Sequence, residues 1–126
     1  MDTDVRALAM LAQAYFDAAY DMDADSFAAL FHPSSSVSSV GRGGDEITVS
    51  VTPIATWLTA VRTMTAPRQL GLARHDEILS IDIVRELASL KVKLQIPPRY
   101  FTDMLTCVKI ADTWKIVQKV TSVDSR

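Results

Sequence analysis

The sequence predicts an α+β domain in which three helices come first and an antiparallel sheet follows. Apolar residues recur every three or four positions in the first part of the chain, which is typical of helices packed on a core. From about residue 73 the apolar residues recur every second position, which is typical of strands. The late strands are joined by very short connections, so consecutive strands should pair antiparallel. Helices segregated from an antiparallel sheet define the α+β class.

Composition and charge narrow the class of protein further. The chain has 126 residues, of which 48% are hydrophobic and 22% charged, and we expect one domain over residues 1–126. The net charge of −2 gives no electrostatic reason to expect nucleic-acid binding. No apolar run is long enough to cross a membrane, and the acidic N-terminus does not resemble a secretory signal. We therefore expect a cytoplasmic protein, with the single Cys107 as a reduced, buried thiol.

The first helix is predicted from an apolar stripe near the N-terminus. Thr3 is expected to cap this helix, and Asp4 in its first turn suits the helix dipole. The stripe consists of Leu8, Leu11, Ala12, Tyr15, Phe16 and Ala19.

A second, short helix is expected over residues 26–31. Asp23 or Asp25 would cap it, and Pro33 would end it. His32 would then lie at its C-terminus, where an imidazole can cap backbone carbonyls.

A hairpin and a third helix should follow. Residues 41–45 are rich in glycine and predict a turn between a short strand near Val37 and Val40 and a strand over residues 46–51. Thr52 as N-cap and Pro53 as first residue would then begin a helix that Pro67 bounds. Its apolar positions are Ile54, Trp57, Leu58, Val61 and Met64.

Four long strands are predicted over residues 73–84, 87–96, 100–110 and 114–123. A two-residue turn at Asp112 and Thr113 would place Cys107 opposite Gln118. On that register Asp103 shares a face of the sheet with Trp114, Ile116 and Gln118, and Lys119 lies on the opposite face.

This order of elements resembles the nuclear-transport-factor-2-like superfamily, a cone-shaped α+β fold with a curved sheet. Three segments are similar to its putative lumazine-binding-like and polyketide-cyclase-like branch: Tyr15-Phe16 with the acidic residues 23–25, Leu30-Phe31-His32-Pro33, and residues 101–105 with the closing residues 112–117. The family usually has glycine at the turn position that Thr113 holds. The resemblance implies a pocket between the concave face of the sheet and the helices.

The resemblance and the residues together indicate where chemistry could lie. Tyr15 faces the implied pocket, and its hydroxyl could donate a hydrogen bond to a carbonyl or enolate, as a tyrosine of this helix does in ketosteroid isomerase. Asp103 is the best acidic candidate for a general base, and His32 could pair with it as in dehydratase members. The two carboxylates of the usual isomerase mechanism are missing from residues 34–40 and 90–95, which disfavours that mechanism.

Ligand-binding candidates are the apolar and amide side chains that could line such a pocket, and no cofactor motif or metal-ligand spacing accompanies them. They are Tyr15, Phe31, Trp57, Phe101, Trp114 and Gln118.

Three functions remain open at this point. The first is a small-molecule-binding domain with a conical apolar pocket, and the second is an isomerase-, dehydratase- or cyclase-type enzyme working by acid–base chemistry in the same pocket. The third is a homodimeric interaction module without catalysis. The resemblance implies a homodimer formed through the sheet, although Ser89, Lys91, Lys93 and Gln95 give one strand a polar stripe.

Overall fold

Three α-helices precede most of a six-stranded sheet in the computed structural model, which describes residues 2–124. The helices are α1 (Asp2–Asp21), α2 (Ala24–Ala28) and α3 (Ile54–Val61), and a short 3-10 helix covers Pro67–Leu70. The strands are β1 (Phe31–Gly43), β2 (Glu46–Pro53), β3 (Glu77–Val84), β4 (Leu87–Ile96), β5 (Arg99–Ile110) and β6 (Thr113–Val123). Met1, Ser125 and Arg126, which the expected domain includes, lie outside the described residues.

The strands form one sheet in the order β2-β1-β6-β5-β4-β3. β1 and β6 run parallel, and all the other neighbours are antiparallel. The buried core lies between the helices and one face of the sheet, which we call the inner face. The α+β prediction, with N-terminal helices on a mostly antiparallel sheet, is confirmed.

The apolar stripe of α1 packs on the inner face as predicted. All six residues of the stripe are buried, and Tyr15 and Ala12 are almost completely so. The start of the helix was wrongly predicted, because α1 already begins at Asp2 and includes Thr3. Asp4 instead accepts hydrogen bonds from Lys109 Nζ and Trp114 Nε1, which ties the first turn of α1 to the sheet.

The second helix is shorter than predicted. Asp23 caps α2 as expected, with its side chain accepting from the backbone N–H of Ser26 at 3.2 Å. Phe31 belongs to β1, however, and not to the helix, because Phe31 pairs with Ile116 and the N–H of Ile116 donates to the carbonyl of Leu30 at 2.9 Å. Pairing with a distant strand thus overrides the local helical pattern, and His32 is a strand residue and not a helix cap.

The hairpin has its turn at Gly44 and Asp45, within the predicted glycine-rich segment. Gly44 has φ +63, a left-handed conformation that glycine adopts without steric cost. β2 continues to Pro53, so the predicted cap at Thr52 was wrong: Thr52 pairs with Val37, and α3 begins at Ile54.

Strand β4 alternates as predicted, but β5 and β6 differ from the predicted register. Ala88, Leu90, Val92 and Leu94 are buried on the inner face. The turn before β6 lies at Ala111 and Asp112, both with positive φ, one residue earlier than predicted.

A β-bulge interrupts the β5–β6 ladder at Val117. Cys107 pairs with Ile116 and Thr106 with Gln118, so Val117 has no partner on β5. Because side chains alternate between faces, one extra residue reverses the face of everything that follows. Gln118 therefore points away from the core and Lys119 points into it, opposite to the prediction.

The other face of the sheet, which we call the outer face, carries no helix within residues 2–124. Val49 pairs with Val40 and Met104 with Val120, which places these apolar side chains on it. No helix in the described part of the chain is both long and apolar enough to cross a membrane. We name five exposed apolar residues of this face the outer patch: Ile47, Val49, Val51, Met104 and Val120.

Candidate functional site

Tyr15 and Asp103 meet in the interior between α1 and the sheet. Tyr15 lies on the buried stripe of α1, and Asp103 lies on the inner face of β5, next to the buried Leu105. The Tyr15 hydroxyl donates to Oδ2 of Asp103 at 2.6 Å. Two residues that the sequence singled out independently are thus in direct contact.

Lys119 completes this group. Its side chain is 4% exposed, and its Nζ lies 3.6 Å from Oδ2 of Asp103. The hydroxyl of Thr121, which pairs with Asp103 across the β5–β6 ladder, donates to Oδ1. We call Tyr15, Asp103, Lys119 and Thr121 the Lys119 cluster.

Aromatic rings enclose the amine of Lys119. Nζ lies 4.1 Å from the centroid of the Trp57 indole and 5.2 Å from that of the Tyr15 ring, both within the range of a cation–π contact. Phe27 and Phe31 pack against Trp57 with ring centroids 5.0 and 5.8 Å away. Phe27 and Phe31 are buried, whereas Trp57 on α3 is half-buried and reaches the surface. We call Phe27, Phe31 and Trp57 the aromatic cover.

Burial shifts the acid–base behaviour of two members of the Lys119 cluster. It lowers the pKa of the Lys119 ammonium, because the charged form loses its hydration, and the attraction of Asp103 offsets this only in part. Burial also raises the pKa of Tyr15 well above its usual value, and the neighbouring charge of Asp103 raises it further. The phenol therefore stays protonated and keeps donating to Asp103.

The chemistry of this group follows from its donors and acceptors. Asp103 accepts two hydroxyl hydrogen bonds and faces one ammonium, so most of its acceptor capacity is used. Lys119 has three N–H donors, and its other close neighbours in the cluster are aromatic faces. The donor with capacity left for another molecule is therefore Lys119 and not Tyr15, whose hydroxyl is committed to Asp103.

The structure separates the remaining predicted site residues from this group. His32 Nδ1 lies 2.7 Å from Oγ of Ser34 and also accepts a hydrogen bond from the Ser34 backbone N–H. The contacts of Asp103 are with Tyr15, Thr121 and Lys119. Trp114 is buried next to the first turn of α1, where Nε1 donates to Asp4 at 3.2 Å. The expected pairing of His32 with Asp103 is absent from the contacts of the described residues.

Gln118 and Phe101 also lie apart from the amine. Gln118 is on the outer face, where its amide bonds the hydroxyls of Ser36 and Ser38 at 3.3 Å, because the bulge turns it away from Asp103. Phe101 is half-buried and packs against the core. Of the six predicted ligand-binding residues, Tyr15 belongs to the Lys119 cluster, and Phe31 and Trp57 belong to the aromatic cover beside it.

Sequence reasoning missed Lys119 and Thr121. A strict alternation from the predicted turn places both on the opposite face, and the bulge occurs at a valine without a glycine to signal it. The available signal was Val117-Gln118, where an apolar and a polar residue interrupt the alternation that Trp114, Lys115 and Ile116 begin.

A separate cleft opens at the surface, beside the start of β3. It has a volume of about 480 Å³ and is lined by Arg74, His75, Asp76, Glu77, Lys93 and Tyr100. Its cations already form ion pairs: Arg74 with Asp17 and Asp76, and Lys93 with Asp124. Among the described residues, no three His, Cys, Asp or Glu side chains converge in a way that could hold a metal ion.

Comparison with solved structures shows the fold of the chain. A nuclear-transport-factor-2-like (NTF2-like) protein of unknown function from Shewanella baltica aligns with a TM-score of 0.85 and 19% identity, covering 98% of this chain and 96% of that chain. A similar protein of unknown function from Silicibacter pomeroyi aligns with a TM-score of 0.80 and 20% identity over 98% of both chains. A protein with a cystatin-like fold from Nostoc punctiforme aligns with a TM-score of 0.69 and 12% identity, covering 99% and 94%.

Comparison of sequences identifies the family. No curated protein matches the chain. The sequence profile of the family described as Putative lumazine-binding matches residues 3–122, which include every residue of the Lys119 cluster and of the aromatic cover. The expected fold and the expected branch are both confirmed, and the chain belongs to the Putative lumazine-binding family of the nuclear-transport-factor-2-like fold.

Proposed function

We propose that the protein binds a small molecule in its interior, with the Lys119 cluster as the polar end of the site and the aromatic cover as its wall. The observation that carries this proposal is Lys119, a buried cation whose Nζ lies 3.6 Å from Asp103 and faces the rings of Tyr15 and Trp57. Burying an ammonium is costly, and an apolar residue of similar volume would stabilise the core as well or better. A lysine at this buried position therefore points to a role beyond folding.

The ligand would reach Lys119 by displacing Trp57. This indole lies over the amine and is half-buried on an eight-residue helix, so its movement would expose Nζ on that side. A ligand ring that takes the place of the indole would keep the contacts with Phe27 and Phe31. The family description and the aromatic cover both favour a flat, largely apolar ligand.

Acid–base catalysis in the same site is the second candidate. It is favoured by one observation: Asp103 connects a tyrosine hydroxyl and an amine through the same carboxylate oxygen. Such a chain could relay a proton to or from a bound substrate. In this version Asp103 and Lys119 exchange the proton, Tyr15 orients the carboxylate, and His32 has no part.

A thermal-shift screen tests the binding site. Flat heterocycles, including lumazine, and steroid-like and polyketide-like compounds would be screened against the wild type, Lys119→Met and Trp57→Ala. The matched control is Lys91→Met, which makes the same substitution in β4 at a half-buried residue that pairs with Met104. We expect a ligand that raises the melting temperature by several degrees in the wild type and in the control, which corresponds to roughly 1–2 kcal/mol.

The variants decide where such a ligand binds. Loss of the shift in Lys119→Met and its reduction in Trp57→Ala would support the interior site. An equal shift in Lys119→Met would contradict it. The absence of any shift across the library would favour the interaction module instead.

We also propose that the protein is a homodimer formed through the outer face of the sheet. The outer patch is widely exposed, with Ile47, Val49 and Val51 at 64%, 62% and 65% along one face of β2, and exposed apolar surface of this kind usually meets a partner. A stable interface needs about 800 Å² from each partner, which an open sheet face can supply. Light scattering after size exclusion should give a dimer for the wild type and a monomer for Val49→Glu, and a wild-type monomer would refute the proposal.

A further inference from the structure

We propose that Lys119 is a nucleophilic amine that forms an imine with a neutral aldehyde or ketone held against the aromatic cover. This inference rests on the proposed interior site and names the class of ligand for it. The geometry behind it is the position of Nζ, 3.6 Å from a carboxylate that can take its proton and 4.1 Å from the centroid of an indole that a flat ligand could replace.

The charges of the cluster select a neutral ligand. The carboxylate of Asp103 already balances the ammonium of Lys119, and Tyr15 and Thr121 contribute hydroxyls without charge. A carboxylate or phosphate entering this space would add an unbalanced negative charge beside Asp103, at a high cost in a buried site. A carbonyl group adds a dipole only, and its carbon is electrophilic enough for an amine to attack.

The environment also favours the reactive form of the amine. A lysine becomes nucleophilic when it loses its proton, and an apolar surrounding promotes this loss. Burial lowers the pKa of Lys119, and the surrounding rings of Tyr15 and Trp57 offer it no oxygen or nitrogen acceptor in their faces. Lysines on the sheet surface, such as Lys91, do not share this environment.

The reaction can be written with the groups that are present. The Lys119 ammonium gives a proton to Asp103, and the nitrogen lone pair then attacks the carbonyl carbon while the C=O π electrons move to oxygen. That oxygen takes the proton from Asp103, which gives a carbinolamine, and the nitrogen then gives its second proton to the Asp103 carboxylate. Protonation of the hydroxyl by Asp103 lets the C–O bond break and water leave, and the nitrogen lone pair forms the C=N bond. The net change is one amine and one carbonyl compound giving one imine and one water, without an oxidant or a reductant.

Reductive trapping tests this inference. The wild-type protein would be incubated near pH 7 with benzaldehyde and sodium cyanoborohydride, whose hydride reduces the protonated imine to a stable secondary amine. Peptide mass mapping would then locate the added benzyl group. We expect saturable labelling at Lys119 and at least about tenfold less at Lys91, because an aldehyde held against the aromatic cover has a raised effective concentration at Lys119 alone.

Two variants and one unreactive ligand distinguish imine formation from binding without a covalent bond. Lys119→Arg keeps the positive charge but cannot form an imine, and it should lose the labelled peptide, whereas Lys91→Arg should retain it. Benzamide presents a similar flat ring and an unreactive carbonyl, so its thermal shift reports on the site alone. A benzamide shift that Lys119→Met abolishes, together with labelling confined to surface lysines, would overturn the imine and leave the binding site standing. If benzamide, benzaldehyde and the wider library all fail to bind, the interior site itself is refuted.

Discussion

Asp103→Asn should destabilise the protein strongly, and the loss should shrink as the pH rises. The substitution keeps the shape of the side chain and can keep the hydrogen bond from Tyr15, but it removes the counter-charge of Lys119. Breaking a buried ion pair by removing one partner typically costs about 3–5 kcal/mol, because the other charge stays buried and unpaired.

The titration of Lys119 sets an upper limit on this cost. The amine can lose its proton in the folded state, and at pH 7 this costs at most about 4.6 kcal/mol for a group with an ordinary pKa near 10.4. We therefore expect a loss of about 3–4 kcal/mol at pH 7, which lowers the melting temperature by roughly 10–20 °C. At pH 9 the same limit falls to about 2 kcal/mol, so the variant should recover part of its stability.

The sign of the pH effect follows from the direction of the pKa shift. Burial lowers the pKa of Lys119 in the folded protein, so the unfolded chain binds more protons between the folded and unfolded pKa values. Stability therefore rises with pH in that window, and it rises more steeply in Asp103→Asn, where no carboxylate holds the proton on the amine.

The loss of stability in Asp103→Asn is measured by urea unfolding at pH 7 and at pH 9, with tryptophan fluorescence as the probe. Asp25→Asn is the matched control, since Asp25 pairs with Arg62 at an exposed position and its loss should leave the midpoint nearly unchanged. The double variant Asp103→Asn with Lys119→Met should be more stable at pH 7 than Asp103→Asn alone. A loss below about 1 kcal/mol at pH 7, or one that is equal at pH 9, would refute the ion-pair account.

Three further predictions concern the core. Cys107 is buried, which raises its pKa to about 12, so it should resist iodoacetamide at mildly alkaline pH until urea unfolds the protein; native alkylation would contradict its inward position. Phe27→Ala should cost about 3–5 kcal/mol in urea unfolding, since Phe27 is buried between Tyr15 and Trp57, and a cost near zero would contradict that packing. The Tyr15 pKa is raised, so stability should fall as the pH rises above the ordinary tyrosine value near 10, and tyrosinate absorbance should show one phenol that ionises only on unfolding; Tyr15→Phe should lack that component.

The sequence predicted most of the fold because most elements carry their own pattern. The stripe of α1 and the alternation of β4 each identify a buried face without reference to the rest of the chain. The strand character of Phe31 could not be predicted in this way, because it depends on pairing with Ile116, which lies 85 positions later in the sequence.

Only part of the candidate site could be predicted, because local patterns can be read from the sequence and strand pairing cannot. Tyr15 and Asp103 could be identified from their own elements, and their contact follows from the fold. Lys119 could not, because its face depends on an irregularity in hydrogen bonding and not on residue type. An error of one residue in register assigned the interior to Gln118 and the outside to Lys119.

Because of the bulge at Val117, β6 can lose one residue without changing its pairing with β5. Cys107 faces Ile116 and Thr106 faces Gln118, so the residue between Ile116 and Gln118 has no counterpart on β5. A shorter chain that lacked this valine would match the same partners and hold the amine in the same place. An insertion or deletion at this point is therefore the kind of change that relatives can accumulate without exchanging interior and exterior side chains, and an alignment of the family should place its gap there.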